Sequence, residues 1–349
     1  MSAPLVIVDA DALGRQRTGD ETYVANLLRE LARVDDLRLA AVTRRPDLVP
    51  ERVQPVELTA RSQVLRMALR LPRLLRRLRP ALAHFQHALP LGCPCPAVVT
   101  VHDLSFERDP SLMSPRDRLI FRTVVPRAAR AASRVLAVSE RTKRDLVELY
   151  GVPETKIVVT PNGVDPAFTP AGPRPDGEPY ALFVGALHRR KDAVAAIEAL
   201  ALVGDGAPRL ILVGPDKGGR GEAERAASRA GVAGRVEFRG HLPQAELAAL
   251  YRGAACLVFP SRYEGFGLPA LEAMASGAPV VATAAGALPE VVGDAAILVE
   301  KQDTVALAGG IERAIADRER LVAAGLERAS RFSWAETARK TLEVYHELL

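Results

Sequence analysis

Residues 180–214, YALFVGALHRRKDAVAAIEALALVGDGAPRLILVG, place two short apolar runs on either side of a helical pattern. YALFVGAL and RLILVG read as strands, and the segment near 191–203 has apolar residues at helical spacing. Continuous apolar strands alternating with helices imply a parallel sheet covered on both faces. The alternation runs on through a helix near 221–230, VEFRG, a helix near 243–253, CLVFPS, PVVATAAG and AAILVE. Upstream it is already present as LVIVDA, the helical ETYVANLLRELARV, then LRLAAVT, LAHFQ, AVVTVHD and RVLAVS. Between the two series, PAFTPAGPRPDGEP (166–179) holds five prolines and little periodicity, and reads as a linker. The expectation is an α/β chain of two tandem Rossmann-like, doubly wound domains. They span 1–165 and 180–332, with the Pro-rich linker at 166–179 and a C-terminal helix, 333–349, packing back on the N-terminal domain.

The composition fits two domains: 349 residues, 48% hydrophobic and 26% charged. No stretch approaches the roughly 20 uncharged apolar residues that span a bilayer. The opening MSAPLVIVDADALG has no basic segment before its apolar run, so it reads as a strand and not as a signal peptide. A cytoplasmic location is expected, and the three cysteines are read as ordinary reduced thiols. The net charge of +5 is uneven: residues 1–170 carry 26 Lys+Arg against 19 Asp+Glu, and residues 171–349 carry 21 against 23. Seven arginines lie between Arg61 and Arg79, with Leu65, Leu69, Leu74, Leu75 and Leu78 at helical spacing and Pro72 interrupting. Such a helix can lie on an anionic membrane surface, which makes peripheral contact with the inner face of the membrane an expectation; its plainer reading is a solvated face. Nucleic acid is not expected, since the arginines lack interleaved aromatics.

In an open α/β sheet, ligands bind beyond the carboxyl ends of the strands, so loops that follow strands are the places to search. FPSRYEGFGLPALEAMASGAPVV is the richest. Glu264 follows a strand, Gly265 and Gly267 let the backbone turn, Pro269 suits a first helical turn, and Glu272 is expected in that first turn. A carboxylate there complements the helix dipole, and Glu264 could be a loop charge. LFVGALHRRKD sets Gly185, then Arg190 and Lys191, at another helix start, where two cations suit a diphosphate.

Glu-x7-Glu filled with Gly-Phe-Gly-Leu-Pro resembles the signature of family 4 retaining glycosyltransferases, which have the GT-B architecture of two Rossmann-like domains facing a cleft. The resemblance covers essentially the whole chain and is densest from 180 to 300. It implies that Glu264 and the backbone at Gly265, Phe266, Gly267 and Leu268 contact the donor sugar. By the same resemblance Glu272 holds the ribose hydroxyls, and Arg190 and Lys191 hold the donor phosphates beside Gly185. It also implies that Gly240, His241 and Leu242 lie near the base, Gly286 near the phosphates, and His102 opposite the donor sugar. Asp103 could orient His102 or cap the loop, and Asn162-Gly163 suits a turn. The loop after the first strand departs from the family pattern: Gly14 and Gly19 are separated and Asp20-Glu21 follow, leaving Gly19 for the close approach to the ligand.

The activity so implied is transfer of a hexose, first of all mannose, from a nucleoside-diphosphate sugar to a carbohydrate or lipid-linked acceptor. HDLSFERDP and HRRKD look like segments of bacterial mannosyltransferases of surface polysaccharide assembly. Retention, front-face displacement, domain closure across the linker and independence of any metal or cofactor are the accompanying expectations, the two cations doing a metal's electrostatic work. A sugar-nucleotide epimerase or phosphorylase of the same architecture, or a donor-binding but catalytically weak partner subunit, are the alternatives.

Overall fold

The computed structural model describes residues 3–15 and 18–349; Gln16 and Arg17 of the first loop lie outside it. The chain forms two compact units, Met1–Gly163 with Ser333–Leu349, and Val164–Phe332. The proline-rich stretch 166–179 therefore belongs to the second unit, where the Arg252 guanidinium donates to the carbonyls of Thr169 and Pro173.

The first unit holds a seven-stranded sheet of β1 (Leu5–Asp9), β2 (Arg38–Thr43), β3 (Gln54–Glu57), β4 (Leu82–Gln86), β5 (Ala97–Val101), β6 (Arg134–Ala137) and β7 (Ile157–Val159). The second holds six: β8 (Tyr180–Val184), β9 (Arg209–Val213), β10 (Val236–Arg239), β11 (Cys256–Phe259), β12 (Val280–Thr283) and β13 (Ile297–Val299). The orders are β3-β2-β1-β4-β5-β6-β7 and β10-β9-β8-β11-β12-β13, and every pairing is parallel. Each is the doubly wound order, which reverses direction between β1 and β4 in one sheet and between β8 and β11 in the other. The cores follow from strands apolar on both faces: Ile7, Val42, Phe85, Val99 and Val135 are buried in the first, Phe183, Leu212, Val258 and Val281 in the second.

The helix Trp334–Leu348 belongs to the first unit and is pinned there by buried polar contacts. Tyr345 Oη lies 2.6 Å from His84 Nδ1, His84 Nε2 lies 2.7 Å from Thr100 Oγ1, and Tyr23 Oη lies 3.0 Å from the same hydroxyl. Burial, with the neighbouring His102 adding to it, lowers the His84 pKa to about 3, so its ring is neutral.

The arginine-rich segment forms a continuous helical run: Gln63–Leu65, a π turn over Arg66–Arg70, then Leu71–Leu78. Pro72, expected to interrupt it, is absorbed because the wider turn sends the Leu71 N–H to the Arg66 carbonyl, five residues back. Arg66 departs from the expected exposed face. It is wholly buried and holds Asp9 through two hydrogen bonds of 2.9 and 2.5 Å. Arg44 and Arg15 hold Asp11, so the Asp-Ala-Asp at the end of β1 is neutralised by arginines.

Candidate active site

At the direction reversal of the second sheet, two loops meet: Gly185–Asp192 after β8 and Pro260–Gly267 after β11. Gly185 leaves room for the Lys191 stem, which a Cβ there would meet at 3.3 Å. Lys191 Nζ donates to Glu264 Oε1 at 2.6 Å and lies 5.0 Å from the centre of the Phe259 ring. Arg190 reaches Glu264 Oε2 at 3.5 Å and donates to the Tyr263 carbonyl at 3.2 Å. The Arg262 N–H donates to the Arg190 carbonyl, tying one loop to the other. Burial alone would raise the Glu264 pKa, but Lys191 and Arg190 beside it bring it below the usual carboxylate range. Glu264 is thus a buried, ionised carboxylate in the grip of two cations.

Arg190 and Lys191 stand just ahead of the helix Ala193–Val203, whose N-terminus Asp192 caps by accepting from the Ala195 N–H. The next turn is as tightly made. Gly286, at φ +62°, lies where a Cβ would come within 2.1 Å of the Glu264 carbonyl oxygen, and the Ala287 N–H donates to that oxygen at 2.8 Å. Gly267, at φ +108°, is the N-cap of the helix Leu268–Ala275, with Leu288 filling the space of a side chain. Gly265 and Leu268 are buried, and the buried Phe266 ring stands edge-on to Phe332, centres 5.7 Å apart.

Glu272 corrects an expectation. The helix begins at Leu268, so Glu272 is its fifth residue and lies past the first turn and its unpaired N–H groups. Its partner is a side chain: Tyr251 Oη donates to Glu272 Oε2 at 3.0 Å. Burial pushes its pKa up to about 7; the Tyr251 hydrogen bond and Lys191 lower it, and Asp165 raises it. Gly240 follows β10, and its carbonyl accepts from the Gly214 N–H at 3.2 Å; His241 is exposed and Leu242 half-buried.

The remaining expected residues lie in the first unit. Gly19 is exposed in the opening turn of the helix Thr18–Leu31, with nothing within 4 Å of a Cβ placed on it. His102 follows β5, its Nε2 2.9 Å from Gln86 Oε1 and its ring edge-on to Tyr23 at 4.8 Å. Burial lowers the His102 pKa to about 4, with Asp20 raising it and His87 lowering it. Asp103 caps the loop, accepting from the N–H and hydroxyl of Ser105. Asn162-Gly163 does more than turn: a Cβ on Gly163 would come within 2.1 Å of the Trp334 nitrogen, so the glycine lets the returning helix close against it. Sequence reasoning missed Tyr251 and His87. Tyr251 had no signal beyond an apolar helix face, and His87 was legible only as a histidine after LAHFQ.

Known proteins resemble this chain in sequence and in fold. A family profile described as Glycosyltransferase Family 4 matches residues 17–168, and one described as Glycosyl transferases group 1 matches residues 165–337. The O-antigen chain mannosyltransferase B of Escherichia coli is 31% identical over 268 residues, which cover 71% of this chain and 70% of that protein. The D-inositol 3-phosphate glycosyltransferase of Nocardia farcinica is 36% identical over 240 residues, 62% of this chain but only 53% of that protein. Among solved structures, Anabaena HepE in complex with UDP-glucose superposes with a TM-score of 0.78 at 19% identity, covering 98% of this chain and 99% of that one, a likeness of fold. The chain belongs to the glycosyltransferases of family 4, with the two Rossmann-like units of the GT-B class.

Proposed function

We propose that the chain transfers a hexose, mannose first, from a nucleoside-diphosphate sugar to a glycan or lipid-linked acceptor, with retention of configuration and without a metal. The observation that carries this is the grouping of Arg190, Lys191 and Glu264 at the direction reversal of the second sheet. In this reading the two cations hold the diphosphate and stabilise the charge that grows on it as the sugar leaves. A lysine has three donor positions and can keep Glu264 while taking a phosphate oxygen. Glu264 and the loop backbone from Gly265 to Leu268 hold the sugar hydroxyls, Glu272 takes the ribose, and the turn from Gly240 through His241 to Leu242 lies by the base. His102 keeps the sugar-facing role that the family resemblance implies, and Gly19 the close backbone approach. Glu264 is already engaged by two cations and suits holding better than covalent attack, which favours displacement on the front face, the leaving phosphate accepting the acceptor's proton.

Mannose is supported by the E. coli relative, a mannosyltransferase, and a uridine diphosphate sugar by the HepE complex. The test is a thermal-shift screen of nucleotide sugars followed by transfer assays. One donor should raise the midpoint, and Lys191→Ala should abolish that rise and cut turnover at least ~100-fold. If no nucleotide sugar shifts the midpoint, or if Lys191→Ala transfers as well as the parent chain, the assignment is wrong.

We also place the chain at the inner face of the membrane. Support comes from exposed Arg61, Arg70, Arg73, Arg76 and Arg77 beside Val64, which is 76% exposed, and Leu69, 44%. No helix among the described residues is long and apolar enough to cross a membrane.

A further inference from the structure

Three ligand-bearing side chains of the first unit converge beyond the carboxyl ends of β4 and β5. One ligand atom from each of Asp20, His87 and His102 lies within 4.8 Å of the others. His102 Nε2 faces the amide oxygen of Gln86 at 2.9 Å, so it donates there, and the lone pair of that imidazole is on Nδ1. His87 Nδ1 is buried with no hydrogen-bond partner among the described residues, beside a ring 5.0 Å away, centre to centre. A buried ring nitrogen left without a partner is costly unless something occupies the space in front of it.

We propose that Asp20, His87 and His102 bind one divalent transition-metal ion, Zn2+ by preference. Two imidazole nitrogens and one carboxylate oxygen are a borderline donor set that takes zinc ahead of magnesium or calcium. Metal–ligand bonds of about 2.1 Å put such atoms roughly 3.4 Å apart, so the three must draw together by up to about 1.4 Å, through small rotations of the Asp20 side chain and the two imidazoles. Gln86 then holds the second nitrogen of His102 and fixes its tautomer, as outer partners of metal-bound histidines do. The fourth position is left to water. Asp20, which breaks the glycine pattern of its loop, thereby gains a role. Ion binding stands without the donor reading; only its effect on transfer rests on it, and there occupancy of His102 should slow turnover.

Cys93 and Cys95, with sulfurs 3.9 Å apart, would compete for zinc, so the test uses the chain carrying Cys93→Ser and Cys95→Ser. Stripped of metal, it is titrated with Zn2+ against a chromogenic chelator, and with Co2+ followed in the visible range. One ion per chain is expected, weakened at least ~10-fold by His87→Gln and by Asp20→Asn, each with an unchanged circular dichroism spectrum. Absence of stoichiometric binding, or binding that both substitutions leave unmoved, overturns the proposal. A chain that binds zinc in the titration but turns over no donor when metal-free would instead sink the donor reading, because the two readouts are separate.

Discussion

Glu264 and Glu272 stand eight residues apart, yet their surroundings push their protons in opposite directions. Lys191 and Arg190 outweigh burial at Glu264 and keep it ionised, whereas Glu272 has only a phenol as close partner, and burial raises it to about 7. A carboxylate that must accept from two ribose hydroxyls does so best when charged. Raising the pH through 7 ionises Glu272, so nucleoside-diphosphate affinity should rise up to about tenfold between pH 6 and pH 8. Isothermal titration at the two values checks this, with Glu272→Gln as the control that keeps the phosphate's own titration and lacks the carboxylate's. If the variant shows the same slope as the parent chain, Glu272 does not hold the ribose. The position of Glu272 was misjudged from sequence for a plain reason. Pro269 marks a helix start to within a residue or two, and only the φ of Gly267 fixes where counting begins.

Elements were legible where apolar runs were long. β8, β9, β11 and β12 stand where the apolar stretches do, because strands covered on both faces need unbroken hydrophobic sequence. β3, QPVE, and β7, IVV, went unread: they are three- and four-residue edge strands, one of them largely exposed and bearing a proline that an edge tolerates. The arginine helix shows the opposite failure. Periodicity assigned Arg66 to an exposed face, but its partner Asp9 is 57 residues away and no local pattern could reveal it. Membrane attraction therefore rests on the outward arginines. Reversing two of them, Arg73→Glu with Arg76→Glu, should cut binding to phosphatidylserine-containing vesicles at least ~10-fold, as should raising salt. Equal sedimentation of the variant with those vesicles, or binding to neutral vesicles alone, would remove the membrane from the account.

Over the whole molecule, the two units should respond to acid in opposite ways. His84 in the first has its pKa lowered to about 3 against an unfolded value near 6.5. The unfolded chain then binds the extra proton, so this contribution to stability is complete above pH 6.5 and is lost as the pH falls toward 3. Glu272 in the second has its pKa raised, so its contribution is lost as the pH climbs from about 4.3 to 7. Trp334, the single tryptophan, sits in the first unit and reports on it alone. Urea unfolding followed by its fluorescence should show less stability at pH 5 than at pH 7, by about 2 kcal/mol from His84 and a similar amount from His102 in the same unit. An unchanged midpoint at constant slope would mean that His84 takes up its proton without loss of the fold.

The return of Ser333–Leu349 to the first unit has a consequence in time. The second unit is one unbroken stretch of chain inserted into the first, and its contacts are complete once Phe332 has left the ribosome. The first unit, although its sheet is made before the second's, lacks the helix that carries Tyr345 to His84 and Trp334 to Gly163 until residues 333–349 emerge. Synthesis and folding therefore run in opposite order, and the unit whose strands are made earlier is the later to close.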